Sequence, residues 1–313
     1  MQASYLGPED SYSHVATRQI LDGLDAEIIP CQTITNVFKA STPYAVVPIS
    51  NTIQGVVQET LLNLIHPETH ASENGSAATK WEIVGSHTLS VQHNLVVRRG
   101  VELKDVDWVG SHEQALGQCS KYLDDHCPRA QRIPFPSTAQ AAILLASRAS
   151  SESSSSKTTI SGGAAGVGQD IKVVTDDNDE RLRGHGAAIC SSAIIERLES
   201  SLEVVAESVQ NVKENYTRFL LLRQRNLPPN PPIISRSTGK STFLVTSSPS
   251  SLHDLPEEHR VLELHKHETG TSVSKKKFGV AASGPQSGPR YLVEVEGVVG
   301  EAAAGEWVVL GST

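Results

Sequence analysis

Residues Tyr44–Ile65 read YAVVPISNTIQGVVQETLLNLI, and this stretch decides the fold class. Tyr44–Ile49 is an apolar run of the kind found in a strand buried on both faces. The loop SNTIQG interrupts it, and the period then changes. From Val56 to Ile65, the residues Val57, Leu61, Leu64 and Ile65 recur at helical spacing and fall on one side. A fully covered strand that passes through a short loop into an amphipathic helix is the repeating unit of an α/β fold with a mainly parallel sheet.

The alternation continues outward from there. Upstream, Ala3–Leu6 and Glu27–Cys31 read as strands. Ser11 caps a helix through Val15, Ala16, Ile20 and Leu21 that stops near Gly23, and a short helix follows at Thr33–Lys39. Downstream, Trp81–Arg98 holds two strands and Asp107–Gly110 another. Ser111 is placed to cap a helix with Ala115, Leu116, Cys119 and Leu123 on one side, and Ser137 or Thr138 to cap the small-residue helix AQAAILLASRA. A Ser/Gly-rich segment at about residues 150–183 is too polar to order itself and is expected to be a flexible insertion. Gly186–Cys190 and Thr217–Leu222 are strands, with a helix over Ala193–Leu198 between them. Residues 226–240, with LPPNPPI at their start, form a proline-rich linker. Beyond it, Ser241–Thr246, Arg260–His265 and Tyr291–Glu296 read as strands of a second, weakly patterned unit.

Composition narrows the function. At roughly 150 residues per domain, 313 residues suggest about two domains. With 27 Lys and Arg against 35 Asp and Glu, the net charge of −8 gives no footprint for nucleic acid or an anionic membrane. Aromatic residues at 4% argue against base-stacking platforms. The four cysteines, Cys31, Cys119, Cys127 and Cys190, lack CxxC spacing and read as reduced thiols of a cytoplasmic protein, with no secretory leader and no membrane span. The N-x-S/T matches at Asn74 and Asn215 are then chance patterns. His265 and His267 share a strand face with no further ligand nearby, so no metal is expected; nor is there a Walker motif or a GxSxG elbow.

What remains is a set of small polar residues at strand-to-helix junctions: Asn51 and Thr52, Ser111, Ser137 and Thr138. Helix N-terminal N–H groups lie free at such places and favour anions. A further polar cluster stands at Asn215-Tyr216-Thr217. These residues point to a two-lobed α/β protein that binds a small carboxylate.

At the same residues the sequence resembles the prephenate dehydratase family over most of residues 3–223. The motifs appear in the family's order. They are Tyr5-Leu6-Gly7-Pro8-Glu9 with Ser11-Tyr12-Ser13-His14; Val47-Pro48-Ile49 with Asn51, Gly55, Val57 and Glu59-Thr60-Leu61; and His93-Asn94-Leu95. Then come Ser111-His112-Glu113-Gln114-Ala115-Leu116 with Gln118-Cys119; Ser137 to Ala142; Ala187-Ala188-Ile189 with Ser191; and Asn215-Tyr216-Thr217-Arg218-Phe219. The resemblance implies a catalytic region of two α/β lobes like a periplasmic binding protein, with the site in the cleft and no cofactor. The implied reaction takes prephenate to phenylpyruvate with loss of CO2 and water, as a step of phenylalanine biosynthesis.

It also implies that Thr217 is catalytic, helping the ring hydroxyl to leave. Phe219 packs beside the ring or orders Thr217. Alternation puts Arg218 on the opposite strand face, where a structural ion pair is favoured over a substrate carboxylate. Asn51, Thr52, Ser111, Gln114, Ser137, Thr138 and Asn215 are the implied substrate-binding residues. Two positions depart from the family: Ser50 replaces a Glu, and Asp10 replaces a Gly. These departures motivate two rivals, an inactive carboxylate-binding paralogue and a prephenate decarboxylase that does not aromatise its substrate.

The expected division is a catalytic domain at 1–225, the linker, and a small α+β module at 241–313 that resembles a degenerate ACT regulatory domain. Ser241–Thr246, Leu264-His-Lys266-His-Glu268, Tyr291–Gly297 and Leu310-Gly311-Ser312 carry that likeness. The ligand motif is replaced by Glu268-Thr-Gly-Thr, so phenylalanine regulation is not expected. The family's association through this region implies a homodimer.

Overall fold

The computed structural model describes residues 1–66, 81–151, 180–225, 241–246, 261–267, 290–296 and 307–312. The linker, the Glu268-Thr-Gly-Thr stretch, Asn74 and most of the Ser/Gly-rich segment lie outside the described residues. The chain divides into two compact units. The first comprises Met1–Gly7, Ala16–Leu89 and Tyr216–Thr313; the second comprises Pro8–Val15 and Ser90–Asn215.

The chain runs from β1 (Gln2–Leu6) through helix α1 (Tyr12–Ile20) to β2 (Glu27–Cys31) and β3 (Tyr44–Asn51), and in the first unit's sheet β1 is parallel to both of its neighbours. The deciding stretch forms as expected. β3 is buried from Tyr44 to Ile49, and after the short return strand β4 (Gly55–Val56) the chain enters α3 (Gln58–Ile65). Together with α2 (Ile34–Lys39), α3 covers one face of the sheet. The motif residue Glu59 ties these helices together by accepting the N–H and the hydroxyl of Thr35, both at 2.8 Å.

On the other side of β3 lies β11 (Tyr216–Gln224), antiparallel to it, followed by β5 (Trp81–Ser90). The sheet is therefore mixed rather than mainly parallel: chain returning from the second unit enters β11 in the opposite direction. Four strands of the C-terminal region continue it: β12 (Ser241–Thr246), β13 (Val261–His267), β14 (Arg290–Glu296) and β15 (Trp307–Ser312). The order is β13-β14-β12-β15-β5-β11-β3-β1-β2, and β15 meets β5 through a single pair, Gly311 opposite Ile83. Phe243, Leu292 and Leu310 of these strands join the same buried cluster as Val47, Leu61 and Leu220. β15 was not legible as a strand, although WVVL is apolar, because the Gly/Ala-rich run before it gives no period.

The second unit is a five-stranded sheet, ordered β10 (Leu202–Ala206), β6 (Asn94–Arg98), β9 (His185–Cys190), β7 (Val106–His112) and β8 (Gln131–Phe135). Its β9, β7 and β8 are parallel, and β6 runs antiparallel to both of its neighbours, β9 and β10. β8 and β10 are the strands that sequence patterning missed; both lie at sheet edges and are half covered, so neither shows a continuous apolar run. Helices cover both faces. α6 (Thr138–Ser151) and α7 (Ser192–Leu198) pack with Ala188 and Cys190, whereas α4 (Glu113–Gln118) and α5 (Ser120–His126) pack with Ala187 and Ile189. α6 extends into the start of the Ser/Gly-rich segment, and Leu182 near its far end is buried in the same cluster. Among the described residues no helix is long and apolar enough to cross a membrane, and no cluster of His, Cys, Asp or Glu could hold a metal.

Candidate active site

Thr217 sits one residue into β11, directly opposite Asn51 at the end of β3. The Asn51 amide donates from Nδ2 to Thr217 Oγ1 and to the Tyr216 carbonyl, both at 3.0 Å. Its orientation is fixed from the other side, where Oδ1 accepts the N–H groups of Ile53 (2.9 Å) and Gln54 (3.1 Å). Two N–H donors must face an oxygen, so the nitrogen faces Thr217. The threonine hydroxyl thus accepts from Asn51, and its own proton is left to donate elsewhere. Thr52 completes the junction. Its N–H donates to the Tyr216 carbonyl at 2.9 Å, and its hydroxyl accepts the Tyr216 N–H at 3.0 Å. Asn51 and Thr52 therefore hold the catalytic candidate in place.

Arg218 lies across from Ser50, and Phe219 lies across from Pro48, so Ile49 is an extra residue bulged on β3. Phe219 is 1% exposed and serves the core. Arg218 points to the opposite face of β11. Its guanidinium forks onto Glu294 at 2.6 and 2.7 Å and lies 5.5 Å from the centre of the Phe243 ring.

The second unit holds the remaining candidates. Ser111 is fully buried, and its hydroxyl donates to the Ile189 carbonyl at 2.7 Å. It does not cap α4. His112 does so, through its ring nitrogen and the Gln114 N–H, because β7 runs two residues further than its apolar pattern showed. Gln114 is exposed in the first turn of that helix. Ser137 accepts the Gln140 N–H at 3.1 Å and caps α6; Thr138 opens the helix, and both are half-buried.

Asn215 is 0% exposed, and its amide donates to Gln118 Oε1 at 3.0 Å, which also makes its N-x-T pattern unusable for glycosylation. Gln118, whose motif alone implies no role for it, is a hub of this buried network. His93 Nε2 lies 2.8 Å from the same oxygen, and His93 Nδ1 lies 3.2 Å from the hydroxyl of Tyr12, which donates to the Gln92 carbonyl. Burial pushes the Tyr12 phenol well up, with the nearby Cys190 and Cys119 thiols adding to it. Burial also lowers the His93 pKa against the opposing Gln118 hydrogen bond. The neutral ring then carries its proton on Nε2, facing Gln118.

That burial has a consequence for stability. Unfolded His93 binds a proton near its ordinary pKa of ~6.5, and the folded ring binds it only at lower pH. Between those values the unfolded chain holds more protons, so the His93 contribution is present above ~6.5 and is lost as pH falls through this window. Urea unfolding of the wild type and His93→Gln at pH 7.5 and 5.5 checks this. The wild type's advantage is expected to shrink at pH 5.5; an advantage that stays constant overturns the assignment.

The two departures also find places. Asp10 has φ 60, the left-handed region that favours glycine. Its carboxylate lies 2.7 Å from Arg197, so its charge is answered within the second unit, and its backbone N–H donates to His14 Nδ1 at 2.8 Å. Ser50 stands opposite Arg218, whose charge is answered by Glu294.

A family model for prephenate dehydratase matches residues 3–227. The chain belongs to the prephenate dehydratase family. It is 28% identical over 233 residues to a bifunctional chorismate mutase/prephenate dehydratase from Aquifex aeolicus, covering 73% of this chain and 50% of the relative. The chain thus spans about half the length of that relative. Among solved structures, a prephenate dehydratase from Arthrobacter aurescens in complex with L-Phe aligns with TM-score 0.64 at 22% identity, over 95% of this chain and 81% of that one. The quorum-quenching acylase GqqA aligns with TM-score 0.65 at 19% identity, over 100% and 97%. The prephenate dehydratase fold is thus shared with a protein named for a different reaction, and the residues of the site must carry the functional argument.

Proposed function

We propose that this chain is a prephenate dehydratase. The reaction takes up one proton: the ring carboxylate leaves as CO2, its bonding electrons aromatise the ring, and the C4 hydroxyl departs as water. The chain's task is to supply a donor at that oxygen while both carboxylates are held. The observation that carries the reading is the Asn51–Thr217 pair, in which the amide occupies the acceptor side of the hydroxyl and leaves its proton for the leaving group. A threonine is a weak acid, so its contribution comes from fixed geometry rather than from pKa matching. Gln114, Ser137 and Thr138 are proposed as the carboxylate-binding residues, a reading supported by their hydroxyl and amide groups and by their incomplete burial at helix starts. Ser111 and Asn215 are buried and spend their polar groups on the Ile189 carbonyl and on Gln118.

The C-terminal strands are read as an ACT-like module, supported by their β13-β14-β12-β15 order, the antiparallel arrangement of an α+β plait. A homodimer is favoured by Leu262 and Leu264, which stand exposed on the terminal strand β13. A cytoplasmic setting is favoured by four free cysteines.

The test is to incubate purified protein with prephenate at neutral pH and follow phenylpyruvate. Product well above the uncatalysed rate is expected. No product above that rate overturns the reading, and a decarboxylated, non-aromatic product assigns the chain to the decarboxylase alternative.

A further inference from the structure

We infer that Glu294, on strand β14 of the C-terminal region, is a positioning residue for the dehydration, acting through Arg218 on the backbone that carries Thr217. The inference rests on the proposed function for its kinetic arm only. Three strands, β12, β15 and β5, stand between β14 and β11 in the sheet order. At ~4.8 Å per strand a flat sheet would hold β14 roughly 19 Å from β11. The Arg218–Glu294 fork nevertheless closes at 2.6 and 2.7 Å, so the C-terminal strands curl over the face of the first unit's sheet.

The contact is built rather than incidental. The Glu294 side chain is 4% exposed and receives both terminal nitrogens of Arg218. Phe243 backs the guanidinium, and Ser86 lies 3.5 Å from one of those nitrogens. A carboxylate buried this deeply is costly unless it is paired, and a planar fork fixes direction as well as distance. Arg218 follows Thr217 in the chain, on the strand where the register shifts between Arg218 and Phe219. β11 meets β3 irregularly at that point, and the ladder alone defines the backbone less firmly there. The fork holds this turn of strand from the far face and so fixes the angle at which Thr217 leaves it.

Arg223 and Glu82 provide an internal control. They form a second ion pair on the same strand, at 2.7 Å and six residues from Thr217, in the regular part of the ladder. Glu294→Gln keeps the shape but removes the charge. It is expected to lower kcat about tenfold and to change KM by less than about threefold, since Glu294 does not touch substrate. Glu294→Asp, with a carboxylate one methylene shorter, is expected to fall between the two. Glu82→Gln is expected to keep kcat within about twofold.

Backbone amide exchange supplies a readout independent of activity. Residues 216–220 are expected to exchange faster in Glu294→Gln and unchanged in Glu82→Gln. Wild-type kcat with wild-type exchange in Glu294→Gln overturns the inference. So does a lowered KM, which would mean that freed Arg218 binds substrate. If the wild type fails to dehydrate prephenate, the functional reading falls, and the exchange comparison still decides whether Glu294 orders the Thr217 backbone.

Discussion

Thr217→Ala is expected to lower kcat on prephenate by about 100-fold or more, with KM changed by less than about threefold. The hydroxyl is assigned a task that exists only as the C4–O bond breaks. Its removal should therefore cost transition-state stabilisation and spare ground-state binding. Fold damage is a poor explanation for such a loss, because Thr217 is half-buried at a strand end. Its hydroxyl receives one hydrogen bond from Asn51, worth about 1 kcal/mol net.

Thr217→Val, which keeps the shape without the donor, should be as slow as alanine. Thr217→Ser should recover most of the rate, held back only by the freer rotation of its side chain. Asn51→Ala should give a smaller loss, about tenfold, because the proton donor survives but its aim does not. Steady-state kinetics with circular dichroism on each variant checks the series. Valine near the wild-type rate would remove the proton-donating role and leave Thr217 a packing residue.

The parts of the chain that could be read from sequence were those whose physics is local. YAVVPI followed by a helical period gave strand and helix, and both form where they were expected. Ser11 and Ser137 cap because a cap lies three residues from its partner. Thr217 and Asn51 were legible singly, as motif residues. Their pairing was not, because 166 positions separate them and only strand register brings them together. Ser111 looked like a cap but is turned inward to Ile189, 78 residues away. Glu294 left no trace either. Within YLVEVE it alternates with apolar residues, as a solvent-facing glutamate on a half-buried strand does. Its burial depends on a sheet that curls back over itself, which no local pattern encodes.

The largest expected loss of stability comes from one added methyl group. Gly186 on β9 stands opposite Trp108 on β7, and the indole lies across the glycine. A Cβ at Gly186 would meet Trp108 ring carbons at 2.1, 2.4 and 2.6 Å. Trp108 is 1% exposed in the α6-facing core, so its ring has no open space to swing into. Backbone freedom is not what this glycine provides, because its φ is not in the left-handed region. It provides room. Overpacking typically costs ~1–3 kcal/mol, and three contacts this short place Gly186→Ala at the upper end, about 3 kcal/mol.

The same arrangement recurs one strand over, where a Cβ on Gly110 would meet the Phe135 ring at 2.7 Å. The second unit thus seats Trp108 and Phe135 over glycines of the sheet. Trimming the ring should separate steric clash from any other cause. Trp108→Leu alone costs stability by leaving a cavity. In the Gly186→Ala background, the same change should cost much less or even help, because the methyl takes up part of the vacated space. A double-mutant cycle by urea unfolding, followed by circular dichroism, is expected to show coupling of about 2 kcal/mol. Strict additivity would mean that the methyl is accommodated by movement of the strands and not by conflict with the ring.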